Sequence, residues 1–157
     1  MVIKKIRKLF RVVTIDLLIY SMKENVDFEM KSERYFIKNK NISTNKIQYY
    51  IEIENKIIHE SFLFKSLHIQ KLIKAKGPTI GDCKTIEEYK GKSIYPYVIN
   101  FIANEQLNNN VDEVFINVVP SNLSSIKGIE KAGFKPYLHL KAKRFLFYYF
   151  NVKKSTF

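Results

Sequence analysis

Residues 79–119 read TIGDCKTIEEYKGKSIYPYVINFIANEQLNNNVDEVFINVV, and the fold turns on them. TIGDCKT (79–85) reads as a strand entered from the Gly77-Pro78 break. Pro96 is placed as an early helix residue, where its missing N–H costs nothing. Val98, Ile99, Phe101, Ile102 and Leu107 follow at helical spacing, and the asparagines at 108–110 end the helix. EVFINVV (113–119) has the pattern of a buried strand. A strand–helix–strand unit of this kind sets its two strands side by side and parallel.

Working outward, KIQYYIEIENKIIHESFLF (46–64) alternates Ile47, Tyr49, Ile51 and Ile53 with polar or amphipathic neighbours. Asn55-Lys56 supplies turn chemistry, so the segment reads as a β-hairpin. VVTIDLLIY (12–20) reads as a strand, and residues 3–10 as a short basic amphipathic helix. Residues 21–46 signal weakly, with a strand or irregular segment around Arg34–Ile37. Residues 66–76 suit a loop or a turn or two of helix. After Pro120, Ser121 or Asn122 offers an N-cap to a short helix with Ile126, Ile129 and Ala132 on one face. Gly133 ends that helix as a left-handed cap. FKPYLHL (134–140) and RFLFYYFNV (144–152) read as strands. The order predicts one domain over residues 1–157, firmest over 79–134, of the α+β (mixed α/β) class. Its sheet is mostly antiparallel, with helices on its faces.

The 27 basic and 15 acidic residues give a net charge of +12, which points to anionic partners: nucleic acid, a membrane surface or a phosphate-bearing small molecule. No uninterrupted apolar run approaches the ~18–20 residues that span a bilayer. The basic, then apolar start carries Asp16 and lacks a small-residue cleavage site, so it reads as mature structure. The single cysteine, Cys83, excludes an internal disulfide and fits a reducing cytoplasm. His59, His68 and His139 show no metal-ligand spacing, so no metal is expected. The aromatic run FLFYYF (145–150) suggests base stacking less than a strand buried on both faces or a dimer contact. Nucleic acid is therefore not the expected partner, and a homodimer is compatible with that end of the chain.

The trio Gly91-Lys92-Ser93 ends like a nucleotide-binding P-loop, but that motif needs a second glycine where Ile86 stands. A triphosphate loop is excluded. A shorter phosphate cradle survives, because a loop that opens a helix presents unpaired N–H groups and a positive dipole end.

Two blocks resemble the GNAT superfamily of acyl-CoA-dependent N-acetyltransferases. The first, C-x-T-x-x-x-Y-K-G-K-S-I-Y from Cys83 to Tyr95, resembles that family's strand, pyrophosphate loop and helix. The second, N-x-x-S-x-x-x-I-x-K-x-G-F from Asn122 to Phe134, resembles its N-x-x-(A/S)-x-x-x-Y-x-K-x-G-F helix. The form Y-K-G-K-S-I-Y is similar to a small bacterial branch associated with surface-polysaccharide synthesis. The resemblance implies acetyl-CoA as co-substrate and a small amine as acceptor, an amino sugar or nucleotide-linked amino sugar among them. It implies that the parallel strands splay to open a slot for the pantetheine arm between Cys83, Lys84 and Thr85 and Asn117. N–H groups of Lys90, Gly91, Lys92 and Ser93, with the helix start at Ile94, would face the pyrophosphate. Asn122 and Ser125 fall at family positions near the arm. The pattern departs at Glu88, where the family has Arg or Gln, and at Ile129, where it often has a tyrosine acid.

Direct attack by an amine needs a base, a stabilised oxyanion and a thiolate that can leave. By resemblance, N–H groups of residues 83–85 stabilise the oxyanion. Glu60, His59 and Asp82 are the base candidates, with Glu60 favoured. Alternation sets His59 and Glu60 on opposite faces. Tyr95 is the candidate acid in place of Ile129. A strand cysteine such as Cys83 reads as a small hydrophobe rather than a nucleophile. The alternatives are a non-catalytic acyl-CoA-binding or regulatory module and a basic nucleic-acid-binding domain.

Overall fold

The computed structural model describes residues 11–30 and 35–157. Eight extended segments carry the sheet: β1 (Val13–Met22), β2 (Lys38–Ser43), β3 (Lys46–Ile53), β4 (Lys56–Phe64), β5 (Thr79–Thr85), β6 (Val114–Val118), β7 (Lys135–Phe145) and β8 (Tyr148–Ser155). Among the described residues the helices are α1 (His68–Ile73), α2 (Ile94–Asn108) and α3 (Leu123–Lys131), with a 3-10 turn at Glu87–Tyr89. The strands form one sheet in the order β2-β3-β4-β5-β6-β1-β7-β8. Every neighbouring pair is antiparallel except β5 and β6, which the α2 crossover makes parallel. The architecture is therefore mixed α+β with a mostly antiparallel sheet.

Period-two alternation builds a core on each face of that sheet. Tyr20, Ile80 and Ile116 pack with Val98, Ile99 and Ile102 of α2 and Ile129 of α3. Their chain neighbours Ile19 and Phe115 turn the other way, with Leu138 and Leu140, and meet Ile73 of α1. Helices thus cover both faces. Fully burying an Ile, Leu or Phe side chain contributes about 1.5–3 kcal/mol, so the sheet is clamped from both sides.

The segment after β1, weakly marked in the sequence, is held by amides of α2. Asn100 Nδ2 donates to the carbonyls of Val26 (2.7 Å) and Ala132 (2.9 Å). Asn104 Oδ1 accepts the Val26 N–H at 3.1 Å. Gly133, at φ 97°, makes room for this strap, since a Cβ there would lie 2.7 Å from Val26 Cγ1.

Some expectations fall outside the described residues, and others differ from the structure. The expected helix at residues 3–10, and Arg34, lie outside the described residues. Residues 35–37 are irregular, the second of the two forms expected there; the next strand begins at Lys38, where all six residues of β2 are exposed and no apolar alternation marks it. Edge pairing with β3 and the Lys38–Glu52 ion pair (3.1 Å) hold it. The β3–β4 turn is Glu54-Asn55, both at positive φ (50° and 62°), one residue earlier than expected. FLFYYF is not one buried strand. It breaks at a turn of Leu146 and Phe147, and Tyr148 and Phe150 are exposed. No described helix is long and apolar enough to cross a membrane.

Candidate functional site

The parallel ladder between β5 and β6 is short. It joins Thr79 to Phe115 and Ile80 to Ile116 and goes no further. A bulge in β5 begins where it stops. Between Glu60↔Lys84 and Phe62↔Gly81, β4 advances two residues while β5 advances three. Asp82 takes φ 50° to absorb the extra one. A one-residue slip exchanges the faces of a strand. Cys83 and Thr85 therefore turn toward α2, where Cys83 packs against the core and Thr85 Oγ1 lies 2.7 Å from His59 Nδ1. Asp82 turns away and pairs with Lys46 at 3.1 Å.

The separated strands open onto a groove of about 830 Å³. Ten of the expected residues line it: Cys83, Lys84, Thr85, Lys90, Gly91, Ser93, Ile94, Tyr95, Asn122 and Ser125. Lys92 does not; its ammonium lies 4.5 Å from the centre of the Tyr89 ring. Asn117 does not either. It alternates with Ile116 and Val118, which pack on the α2 side, so its side chain belongs to the other face.

The head of the groove is a tight loop. Gly91 (φ 77°) and Ser93 (φ 60°) flank Lys92 in left-handed conformations and turn the chain into α2. A Cβ at Gly91 would meet nothing within 4 Å. The first helical bond runs from Tyr97 N–H to Ser93 O (3.2 Å), and Pro96 has no N–H. The N–H groups of Ile94 and Tyr95 precede that bond, at the positive end of a helix of 15 residues. Lys131 of α3 donates to Ser93 Oγ at 2.6 Å and so places a cation beside the loop. Lys90 pairs with Glu87 at 2.6 Å. Glu88 does not line the groove; it is exposed and 3.7 Å from Lys56. Its own backbone N–H and Lys56 hold its carboxyl below the usual range.

Behind the lining, in contact with Thr85, lies a buried polar group. His59 is 1% exposed, with Nδ1 against Thr85 Oγ1 and Nε2 2.8 Å from Ser61 Oγ. Burial pulls its imidazole down to about 4, so the ring is neutral near pH 7. Burial pushes the Cys83 thiol up to about 12, which leaves it protonated and a poor nucleophile. Burial, and then the nearby Cys83, also raise the Tyr95 phenol, opposed by its hydrogen bond with Ser125. Glu60 stands on the opposite face, where it accepts from Gln48 Nε2 at 2.7 Å. Ile129 is fully buried and packs in the core beneath α2.

Two features escaped the sequence reading, and one alternative resolved against the favoured residue. Lys131 reaches across to Ser93, joining the two sequence blocks; only its place in the second block marked it. Of the two residues that alternation sets on opposite faces, His59 and not Glu60 faces the groove side. Gly128 seats Tyr95: a Cβ there would lie 2.6 Å from Tyr95 Cδ1. Gly128→Ala is expected to displace the Tyr95 ring and lower stability by about 1–2 kcal/mol. Thermal unfolding and the tyrosine near-ultraviolet circular dichroism check this, and an unchanged spectrum would show that the ring has another seat.

Among the described residues no group of three or more His, Cys, Asp or Glu is arranged to hold a metal ion. The groove suits an elongated ligand with an anionic head: N–H groups and Lys131 at one end, and an unladdered strand edge along its length. The sequence matches no protein-family model and no curated protein.

Proposed function

We propose that the chain is a GNAT-type N-acetyltransferase that moves an acetyl group from acetyl-CoA to the amine of a small molecule. An amino sugar, free or nucleotide-linked, is the acceptor class favoured by the resemblance of Y-K-G-K-S-I-Y. One observation carries the reading: β5 and β6 part after Ile80, and the groove they open leads to the Gly91 loop and the start of α2.

In this reading the N–H groups of the loop and of Ile94 and Tyr95, with Lys131, hold the pyrophosphate. The backbone of residues 81–85, beyond the β6 ladder, holds the pantetheine arm and supplies N–H donors to the developing oxyanion. Glu60 takes the proton from the attacking amine, which therefore approaches from the opposite face of the sheet, across the gap between β5 and β6. Tyr95, kept protonated by burial, hydrogen-bonds the departing sulfur rather than surrendering its proton. That suffices, because a thiol with a pKa of about 8.5 leaves without full protonation near neutral pH. His59, behind the lining, and Cys83, on it, are neutral and hold Thr85 and the bulged strand in place.

A second reading, a non-catalytic acyl-CoA-binding module, is favoured by Ile129, which offers no proton and is sealed in the core. The two are separated by measuring thermal stabilisation with acetyl-CoA, free CoA and a short DNA duplex, then thiol release with pooled amines that include amino sugars. Stabilisation by acetyl-CoA with thiol release is expected. Stabilisation without release on any amine supports the binding module. No shift with either CoA form, beside a salt-sensitive shift with DNA, would sink both.

A further inference from the structure

The β7–β8 connection contradicts ordinary turn chemistry. Leu146 and Phe147 join Phe145 to Tyr148, at positions where Gly, Asn or Asp turns the chain without strain. Leu146 takes φ 53° to do so. Phe147 is 79% and Tyr148 77% exposed, so the apolar turn contributes little to the core. The register sets Val13 beside Arg144, which brings the start of β1 to the same end of the sheet. Val12 and Val13 are exposed there, as are Phe150 and Val152 on β8.

Cations stand behind this apolar apex. Lys141, Lys143 and Arg144 lie on β7, Lys153 and Lys154 on β8, and Arg11 leads into β1. The sequence running into Arg11 adds Lys4, Lys5, Arg7 and Lys8, and no acidic residue follows Glu130. Asp16 is the acid that meets this group, 4.0 Å from Lys141 and bonded to His139.

We infer that this end of the sheet, the Leu146–Tyr148 turn with the start of β1, docks on an anionic lipid bilayer surface. Charge complementarity selects the partner. Phe147, Tyr148 and the exposed valines enter the boundary between headgroups and acyl chains, and the lysines and Arg144 meet lipid phosphates. A second copy is disfavoured, because pairing along β8 would bring Lys153 and Lys154 of one +12 chain against another. Nucleic acid is the weaker match: Phe147 and Tyr148 offer stacking faces, but the exposed Val12, Val13 and Val152 beside them give bases nothing to stack on. The inference stands apart from the transferase reading. The two meet in the topology, because β6 runs antiparallel to β1 and its C-terminal end points toward the same end of the sheet.

Co-sedimentation of the full chain with vesicles tests it, using phosphatidylcholine mixed with phosphatidylglycerol against phosphatidylcholine alone. Binding to the mixed vesicles only is expected, weakening as salt shortens the screening length. Phe147→Ser with Tyr148→Ser should lower partitioning about tenfold. Lys143→Ala and Lys153→Ala should each lower it about fivefold. Both sets alter exposed residues, so unchanged thermal unfolding is expected and confirms the comparison. The inference is overturned by no binding to mixed vesicles, or by equal binding of the serine variant. It is also overturned if the same variants instead abolish a salt-sensitive RNA complex or a concentration-dependent dimer.

Discussion

Gly91→Trp is expected to weaken acetyl-CoA binding by at least about 100-fold while the protein remains folded. Gly91 holds φ 77°, so any L-residue there costs roughly 1–2 kcal/mol. The added side chain meets no protein atom within 4 Å of its Cβ, so that strain is not compounded by a clash. An indole would instead occupy the loop in which the proposed pyrophosphate sits. A 100-fold loss corresponds to about 2.7 kcal/mol, comparable with removing the close backbone approach of one strongly bound anionic group. Gly91→Ala is the control. It carries the same backbone strain with little bulk and should lose less than about tenfold. Calorimetric titration and thermal shift read both variants. Normal binding by Gly91→Trp would show that the cradle lies elsewhere.

The second large effect is on acid stability. His59 has its ordinary value of 6.5 lowered to about 4 by burial. Below pH 6.5 the unfolded chain binds a proton there that the folded chain refuses. The stability from keeping His59 neutral is therefore fully present above pH 6.5, falls as pH drops toward 4, and is flat below that. The difference amounts to about 3 kcal/mol. Denaturant unfolding of the wild type and of His59→Gln across pH 7 to 4 isolates it from the carboxylates, which titrate in both. The variant should lose stability at pH 7, where the hydrogen bonds to Thr85 and Ser61 are disturbed, but decline less steeply with acid. Parallel pH profiles would show that the imidazole is protonated in the fold.

The parts of the fold written in local pattern were legible. TIGDCKT is β5 to the residue, Pro96 is the third residue of α2, and Asn122 caps α3 by accepting the Ser125 N–H at 3.2 Å. Each depends on neighbours within a turn or two. What failed depends on partners distant in sequence. β2 has no apolar alternation because it is an exposed edge, defined by β3. FLFYYF carries the composition of a strand, and hydrophobicity alone could not reveal a turn with positive φ at Leu146. In the candidate site, the residue types along 83–95 placed most of the groove lining. The faces of Asn117 and Lys92 did not follow from them. The contacts of His59 with Thr85, of Gly128 with Tyr95 and of Lys131 with Ser93 close over 26, 33 and 38 residues and had no local signal.

The extra residue at Asp82 also fixes what kind of change this groove can tolerate. Cys83 and Thr85 face α2 through a count of residues rather than through any side chain's chemistry. Were Asp82 to re-enter the ladder at unchanged chain length, both would rotate to the opposite surface with every amino acid kept. Deleting Asp82 would instead leave Thr85 opposite His59 and both residues on the α2 side, with an even strand in place of the bulge. Homologous chains that share the groove should therefore keep the bulge and its extra residue together, or lose both together.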